Sequence, residues 1–213
     1  MIERLKQQVA NGTGESKIDF LFARHGESDG NALGDTCPIM HDTPLTERGR
    51  AEALKIAQYL KTADKKVTHI YSAPKGRSRE TAEIIATELG LPVVIIDGLN
   101  ERDWGVWADL RWEQASEKLD ALTLDERYTF VPEGGESWEQ MESRLLESLE
   151  DIADRSVGGE TVLIVTHRGC LRAILPLLAK AARDQHKDFS VATGALSRFS
   201  FEKDEFEFVG LNP

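Results

Sequence analysis

Two side chains suited to phosphate chemistry, Arg24 and His25, stand next to each other near the start of the chain. They follow an apolar run, residues 18–23, that is typical of a buried strand. In open α/β sheets ligands bind at the carboxyl ends of the strands, where this strand delivers the pair. An arginine fork matches phosphate oxygens, and a neutral imidazole can act as a nucleophile or a base. The pair predicts phosphoryl chemistry that needs no metal ion.

Three further ionisable groups follow other predicted strands. The strands are predicted over residues 67–72, 93–96 and 161–166, and the groups that come after them are Arg77, Glu101 and His167. Because parallel strands place their carboxyl ends at one edge of a sheet, we expect all five groups to converge. The result would be a positive pocket with one acid at its rim.

Such a pocket has a definite chemistry. Arg24, Arg77 and His167 would bind the non-bridging oxygens and stabilise charge on the transferring phosphoryl group. One imidazole would attack phosphorus and carry the phosphoryl group covalently. Glu101 would protonate the leaving oxygen and then take a proton from the attacking water.

The elements that must position these groups alternate between strands and helices. Helices are predicted from the cap Thr46 to about residue 62, over 78–89 with a stop at Gly90, over about 111–122, from the cap Ser137 to about 155, and over 169–178. The run 93–96 is apolar enough to sit within the sheet, and 196–201 with 206–209 alternates like a hairpin. The fold class is therefore predicted as α/β, a three-layer α/β/α sandwich with a mostly parallel central sheet.

The predicted domain organisation is simple. Residues 1–17 form a lead-in helix and linker, and residues 18–213 form a single α/β domain with a small inserted cap at about 99–136. The loop 26–44 has no clear period, and loops of that length are usually functional or disordered. Four tryptophans cluster in or beside the cap, where they either pack its core or line a substrate pocket.

Composition excludes several classes of protein. The net charge of −11 over 213 residues argues against a nucleic-acid-binding surface. Cys37 and Cys170 lie too far apart in sequence for a zinc or redox motif. We expect no membrane span and no secretory signal, and hence a cytoplasmic protein. His41, His69 and His186 have no motif around them and are expected to be structural or solvent-exposed.

The motifs taken together resemble the histidine phosphatase superfamily, which includes cofactor-dependent phosphoglycerate mutase. The resemblance runs in order from about residue 18 to 201, and its motifs are Arg24–Glu27, Pro44–Gly49, Arg77 with Thr81 and Ala82, Glu101 with Gly105 and Trp107, and Val165–His167. One motif alone would be weak, so its specificity comes from the set.

The resemblance implies roles for individual residues. It makes His25 the phosphorylated nucleophile and Glu101 the proton donor, and it implies no cofactor and no metal. It also places Asn31 near the phosphate. We expect Ser28, Arg102 and Thr166 to line the substrate side as well, although Ser28 and Asn31 could equally just shape the turn after the first strand.

Two departures from the family pattern leave alternatives open. Arg79 rivals Arg77 for the phosphate, and Arg77 is preferred because it keeps the register with Thr81 and Ala82. Arg168 stands between His167 and Gly169 where the family usually has glycine, so it either adds charge to the pocket or faces solvent. Glu136 could approach the site from the cap, but a helix start favours an acid in any case.

Three functions follow from these features. The first is a phosphomonoester hydrolase acting through phosphohistidine on a small phosphorylated substrate or a phosphoprotein. The second is a 2,3-bisphosphoglycerate-dependent phosphoglycerate mutase, which the sequence Leu99–Arg102 resembles. The cap is short for a mutase, and a more open site admits water, which favours the hydrolase. The third is a catalytically weak binding module, against which the retained histidines argue.

Overall fold

A six-stranded sheet forms the centre of the computed structural model, which describes residues 17–34, 41–182, 185, 189, 191–202 and 205–212. The strands are β1 (Ile18–Arg24), β2 (His69–Ser72), β3 (Val93–Ile95), β4 (Thr161–Thr166), β5 (Leu196–Glu202) and β6 (Glu205–Asn212), in the order β3-β2-β4-β1-β5-β6. β1 to β4 pair in parallel, and β5 runs antiparallel to both of its neighbours. The predicted mostly parallel sheet and carboxyl-terminal hairpin are confirmed.

Seven α-helices connect and cover the strands in the described residues. They are α1 (Asp29–Leu33), α2 (Glu47–Thr62), α3 (Gly76–Leu89), α4 (Trp112–Asp120), α5 (Leu124–Thr129), α6 (Trp138–Arg155) and α7 (Arg168–Leu178). The two predicted caps are confirmed, because the Thr46 and Ser137 hydroxyls accept the backbone N–H of Gly49 and Gln140. Along the described ranges, no helix has both the length and the apolarity to cross a membrane.

The alternation of side chains along β1 builds the layers. Phe20 and Phe22 point to the face covered by α6 and α7, whereas Leu21 and Ala23 point to the face covered by α2 and α3. Each face carries its own cluster of buried apolar side chains. Burial of apolar surface on both faces stabilises a three-layer α/β/α sandwich, as predicted.

Two local predictions are corrected. β3 is an edge strand, paired in the described sheet with β2 alone, and its Val94 and Ile95 side chains are each 39% exposed. A short apolar run indicates a strand, but its hydrophobicity does not tell an edge from a centre. The loop 26–44 contains the helix α1, which no period predicted. The predicted helix over residues 1–9 lies outside the described residues.

The segment 99–136 is packed by its own aromatic rings. The ring of Trp104 stacks on Trp107 at 6.4 Å and meets Trp112 edge-on at 6.0 Å. Trp107 in turn lies 4.9 Å from Phe130. These contacts match the expectation that the tryptophans pack the cap, although Trp112 stays 40% exposed.

Candidate active site

The register between β1 and β4 sets two histidines side by side. Arg24 lies opposite Thr166, so His25 and His167 leave neighbouring parallel strands at the same level. The two ring centroids are 5.2 Å apart, and the His25 amide donates to the Thr166 carbonyl at 3.0 Å. Both imidazoles are buried, with 3% and 0% exposure. The sheet alone thus brings two of the predicted groups together.

Hydrogen bonds define the protonation state of His25. Its Nδ1 lies 2.8 Å from the carbonyl oxygen of Gly26, which can only accept, so Nδ1 carries the proton. Nε2 then holds a lone pair and accepts from Nε of Arg77 at 3.2 Å. Burial, followed by the charge of Arg77, lowers the pKa of His25 to about 3. The ring is neutral at physiological pH, with Nε2 as its nucleophilic atom.

A glycine contact fixes the loop that leaves His25. A Cβ placed on Gly26 would lie 2.3 Å from the carbonyl oxygen of Gly49, at the start of α2. The Gly26 amide also donates to the Thr81 hydroxyl on α3 at 3.0 Å. This close approach, which any side chain would prevent, ties the nucleophile loop to two helices.

The structure brings Arg77, and not Arg79, to the histidines. Arg77 is 7% exposed, and its Nη1 donates to the His41 carbonyl and to Oδ1 of Asp42, both at 3.2 Å. Arg79 lies on the outer face of α3 and pairs with Glu83 at 2.7 Å. Position along the helix therefore separates the two candidates.

Two more cations lie near the histidines. Arg24 donates through Nη1 to the Val191 carbonyl at 2.9 Å, and burial together with the charge of Arg168 lowers its pKa to about 10. Lys75 was not predicted; it precedes α3 in the loop after β2, and its charge lowers the pKa of both histidines. Its place in a loop that follows a strand was the signal that could have found it.

His167 also contacts a buried serine of α3. The Ser78 hydroxyl on α3 lies 3.2 Å from its Nε2, and Ser78 is itself fully buried. Burial, with the charge of Arg77 next, holds the pKa of His167 well below its usual range. Both imidazoles of the site are therefore neutral in the folded protein, and positive charge comes from the arginines and Lys75.

Glu101 is held at the start of α7 by backbone donors. Its Oε1 accepts the Arg102 amide and its Oε2 accepts the Gly169 amide, each at 3.0 Å. A Cβ on Gly169 would lie 2.2 Å from Oε1, so the glycine makes room for the carboxylate. Each carboxylate oxygen can accept more than one hydrogen bond, which leaves capacity for a proton-transfer partner.

A second ion pair braces the backbone of Glu101. Arg144 on α6 pairs with Glu136 at 2.6 Å and also donates to the carbonyls of Gly98 at 2.8 Å and Glu101 at 3.2 Å. Glu136 thus stabilises the cap rather than reaching the histidines. Nothing in the sequence singled out Arg144, because an arginine in the middle of a helix usually faces solvent.

Arg102 and Thr166 both donate to backbone carbonyls of the cap and its borders. Arg102 is 3% exposed, stacks on Trp104 at 4.2 Å, and donates to the carbonyls of Glu136 and Phe130 at 3.0 and 2.9 Å. The Thr166 hydroxyl donates to the Leu99 carbonyl at 2.6 Å. Backbone carbonyls therefore take up donors of both residues, and a substrate contact by either one stays a prediction.

Ser28 and Asn31 cap the short helix α1. The Ser28 amide donates to Oδ1 of Asn31 at 3.2 Å, and the Asn31 amide donates back to the Ser28 hydroxyl at 3.4 Å. Ser28 is buried and Asn31 is exposed. The pair shapes the turn after β1, which was one of the two expectations, and a phosphate contact by Asn31 stays a prediction.

Comparison with known proteins agrees with the motifs. The family model of the histidine phosphatase superfamily, branch 1, matches residues 20–213. The chain belongs to the histidine phosphatase superfamily. It is 34% identical over 174 residues to a metal-independent phosphoserine phosphatase of Arabidopsis thaliana, covering 79% of this chain and 72% of that protein. It is 32% identical over 182 residues to a 2,3-bisphosphoglycerate-dependent phosphoglycerate mutase of Parvibaculum lavamentivorans, covering 82% and 86%.

Solved structures show the same histidine phosphatase fold. The α-ribazole phosphatase of Shigella flexneri superposes with a TM-score of 0.77 at 23% identity, covering 92% of this chain and 96% of that one. In the ranges described above, no group of three or more His, Cys, Asp or Glu side chains is placed to hold a metal ion. Phosphatase and mutase relatives together support an enzyme acting on phosphate esters.

Proposed function

We propose that this histidine phosphatase family member is a metal-independent phosphomonoester hydrolase that acts through a phosphohistidine on His25. The observation that carries the proposal is the state of His25, a buried neutral imidazole whose Nδ1 is bound to Gly26 and whose Nε2 meets Arg77. A nucleophile needs that lone pair, and the neighbouring cations favour a phosphate monoester in front of it.

The reaction has two balanced steps. In the first, Nε2 of His25 bonds to phosphorus while the ester P–O bond breaks, and Glu101 gives a proton to the leaving oxygen. In the second, water attacks phosphorus, its proton returns to Glu101, and the P–N bond breaks to release phosphate. Arg24, Arg77 and His167 stabilise charge on the phosphoryl oxygens in both steps.

The substrate is proposed to be a small phosphate monoester or a phosphoprotein, and neither nucleic acid nor a membrane is part of the proposal. The net charge of −11 supports the first exclusion. A cytoplasmic setting is proposed on the sequence grounds given above.

Isomerisation is the second candidate, favoured by relatives named as phosphoglycerate mutases. A mutase must return the phosphoryl group to the substrate before water takes it. The short segment 99–136, packed on its own tryptophans, favours water as the acceptor.

One assay separates the two candidates. The protein is incubated with a panel of phosphate esters, among them 3-phosphoglycerate with 2,3-bisphosphoglycerate, and both free phosphate and isomerised product are measured. We expect phosphate release in the wild type and in His69→Ala, whose ring lies outside the pocket, and none in His25→Ala. Isomerisation with little phosphate release would overturn the hydrolase, and no turnover of any ester would overturn both enzymes.

A further inference from the structure

Three arginines, Arg24, Arg168 and Arg172, lie on the side of the pocket where α7 begins. Arg168 is the exposed first residue of α7, and Arg172 lies one helical turn further along the same face. The charge of Arg168 is near enough to lower the pKa of both Arg24 and Arg172, after burial, which is the larger cause. Glu101, the proposed proton donor, also acts on both of these arginines. The cluster therefore adjoins the catalytic pocket.

Among the residues that the structure describes, none of these three arginines has a carboxylate partner. Within the described part of the chain, none of the three forms an ion pair, whereas Arg48, Arg50, Arg79 and Arg144 all do. The Nε atoms of Arg24 and Arg172 are buried without any hydrogen-bond acceptor. Carboxylates are abundant in a chain with a net charge of −11, so the lack of one within ion-pair distance of these arginines, in the described residues, needs an explanation.

A buried guanidinium donor without an acceptor is costly, and an anion bound among these groups would reduce that cost. The catalytic phosphate accounts for Arg24, which directly precedes His25. It does not account for Arg168 and Arg172, which lie along α7 on the Glu101 side. The planar fork of an arginine matches a carboxylate or a phosphate with two hydrogen bonds.

We propose that Arg168 and Arg172 form a second anion site beside the catalytic pocket, which binds a carboxylate or a second phosphate carried by the substrate. Given the phosphatase function proposed above, the site selects phosphate monoesters with a second anionic group over otherwise similar monoesters. It deepens the assignment of substrate class, which the catalytic residues leave open.

Matched pairs of esters test the site directly. Phosphoserine is compared with phosphoethanolamine, and 3-phosphoglycerate with glycerol 3-phosphate, because each pair differs by one carboxylate. Fructose 1,6-bisphosphate against fructose 6-phosphate tests a second phosphate. We expect kcat/KM to favour the more anionic member of at least one pair by about tenfold, the worth of one charge-assisted hydrogen bond.

Substitutions assign that preference to residues. Arg168 is exposed, so Arg168→Gln tests the site without disturbing packing. Arg172→Gln also removes the contact between the Arg172 guanidinium and the Trp138 ring centre at 5.9 Å. Arg79→Gln is the matched control, an exposed arginine on α3 paired with Glu83. We expect the ratio of kcat/KM within the preferred pair to fall toward one in Arg168→Gln and to keep its wild-type value in Arg79→Gln.

The outcomes distinguish the anion site from the phosphatase function. Hydrolysis with the same ratio in wild type and Arg168→Gln overturns the anion site and leaves the phosphatase standing. If no ester is hydrolysed, the phosphatase proposal fails, and calorimetric binding of the same pairs then decides on the site. A Kd ratio of about ten that Arg168→Gln abolishes supports the site, and equal Kd values within every pair overturn it.

Discussion

Buried and half-buried arginines occur in two regions of the molecule, and their surroundings differ. Beside the cap, Arg102 and Arg144 donate to backbone carbonyls and to the carboxylate of Glu136. Beside the histidines, Arg24 donates to one neutral carbonyl and leaves its Nε without an acceptor. Arg77 donates through Nε to an imidazole nitrogen and through Nη1 to the His41 carbonyl and to Asp42. The residue type is the same, but the cap arginines are held by carbonyls and Glu136, whereas those of the pocket lie close to other cations.

The difference indicates what the arginines contribute in each region. Where guanidinium donors are satisfied, the arginine stabilises the fold, and removing it leaves buried acceptors unpaired. Where cations lie close together with few acceptors, the protein holds positive potential that a transferring phosphoryl group can use. Substitutions in the first region should therefore act mainly on stability, and those in the second mainly on turnover.

The largest effect is expected at Arg77. Arg77→Gln should lower kcat/KM for phosphate esters by about 10²–10³, the usual loss for one donor to transition-state charge. The unfolding midpoint should change little, because the lost charge lay beside other cations and its ion-pair partner, Asp42, is partly exposed to water. Initial rates and thermal unfolding of the purified variant measure both quantities.

Arg79→Gln is the matched control for that experiment. Its exposed ion pair with Glu83 should matter little to either quantity. Equal losses of activity in the two variants would show that Arg77 contributes no more to turnover than an exposed arginine does, which would contradict the assignment of the second region to turnover.

A mixed effect is expected at Arg144, which belongs to the cap region yet braces the backbone of Glu101. Arg144→Gln should lower the free energy of unfolding by about 3 kcal/mol, as one partner of a partly buried ion pair is lost. Turnover of alkyl phosphates should fall up to about a hundredfold, because their leaving groups need a well-placed acid.

Aryl phosphates test whether the loss of turnover in Arg144→Gln comes from a displaced Glu101. Their leaving groups need little protonation, so Arg144→Gln should turn them over with a much smaller loss. Arg155→Gln, an exposed arginine at the end of the same helix, is the control for lost charge. A uniform loss across alkyl and aryl esters would show that Arg144 does not act through Glu101.

The parts of the fold that depend on local signals could be predicted from the sequence. The strand periods and caps predicted β1, β4, α2 and α6, because the signals for them are local. The convergence of His25 and His167 followed from one rule about parallel strands, and the in-register pairing of β1 with β4 bears it out.

Contacts between distant segments could not be predicted in the same way. Thr166 donates to Leu99, and Arg144 donates to Glu101, across 67 and 43 positions of the chain. No periodicity encodes such pairs, so the carbonyl partners of Thr166 and Arg102 and the role of Arg144 could not be predicted. The edge position of β3 could not be predicted for a related reason, because strand order is decided by packing across the whole sheet.

A moderate effect is expected on acid stability. The pKa of His25 is about 3 in the folded protein against an ordinary value of 6.5, so between these values the unfolded chain binds a proton that the folded one does not. The free energy of unfolding should therefore fall with falling pH by about 1.4 kcal/mol per unit on account of His25. The lowered pKa of His167 acts in the same direction.

Urea unfolding of wild type and His25→Gln, at two pH values inside this window and one above it, isolates the contribution. Carboxylates titrate in both proteins, so they cancel in the difference between the two slopes. The slope of His25→Gln should be the shallower one. Identical slopes would mean that burial of a neutral His25 does not contribute to acid sensitivity.

The smallest effect is expected at Ser78, whose hydroxyl contacts His167. Ser78→Ala should lower kcat by about threefold with KM little changed, because a neutral hydrogen bond contributes about 1 kcal/mol and here orients a ring that acts on the transition state. Ser148→Ala removes another buried serine hydroxyl, which donates to its own helix at 2.8 Å, and it should leave kcat unchanged. A rise in KM alone would show that the Ser78 contact acts on substrate binding and not on the transition state. A loss of stability with kcat unchanged would show that Ser78 only stabilises the fold, as the hydrogen-bonded polar groups of the cap do.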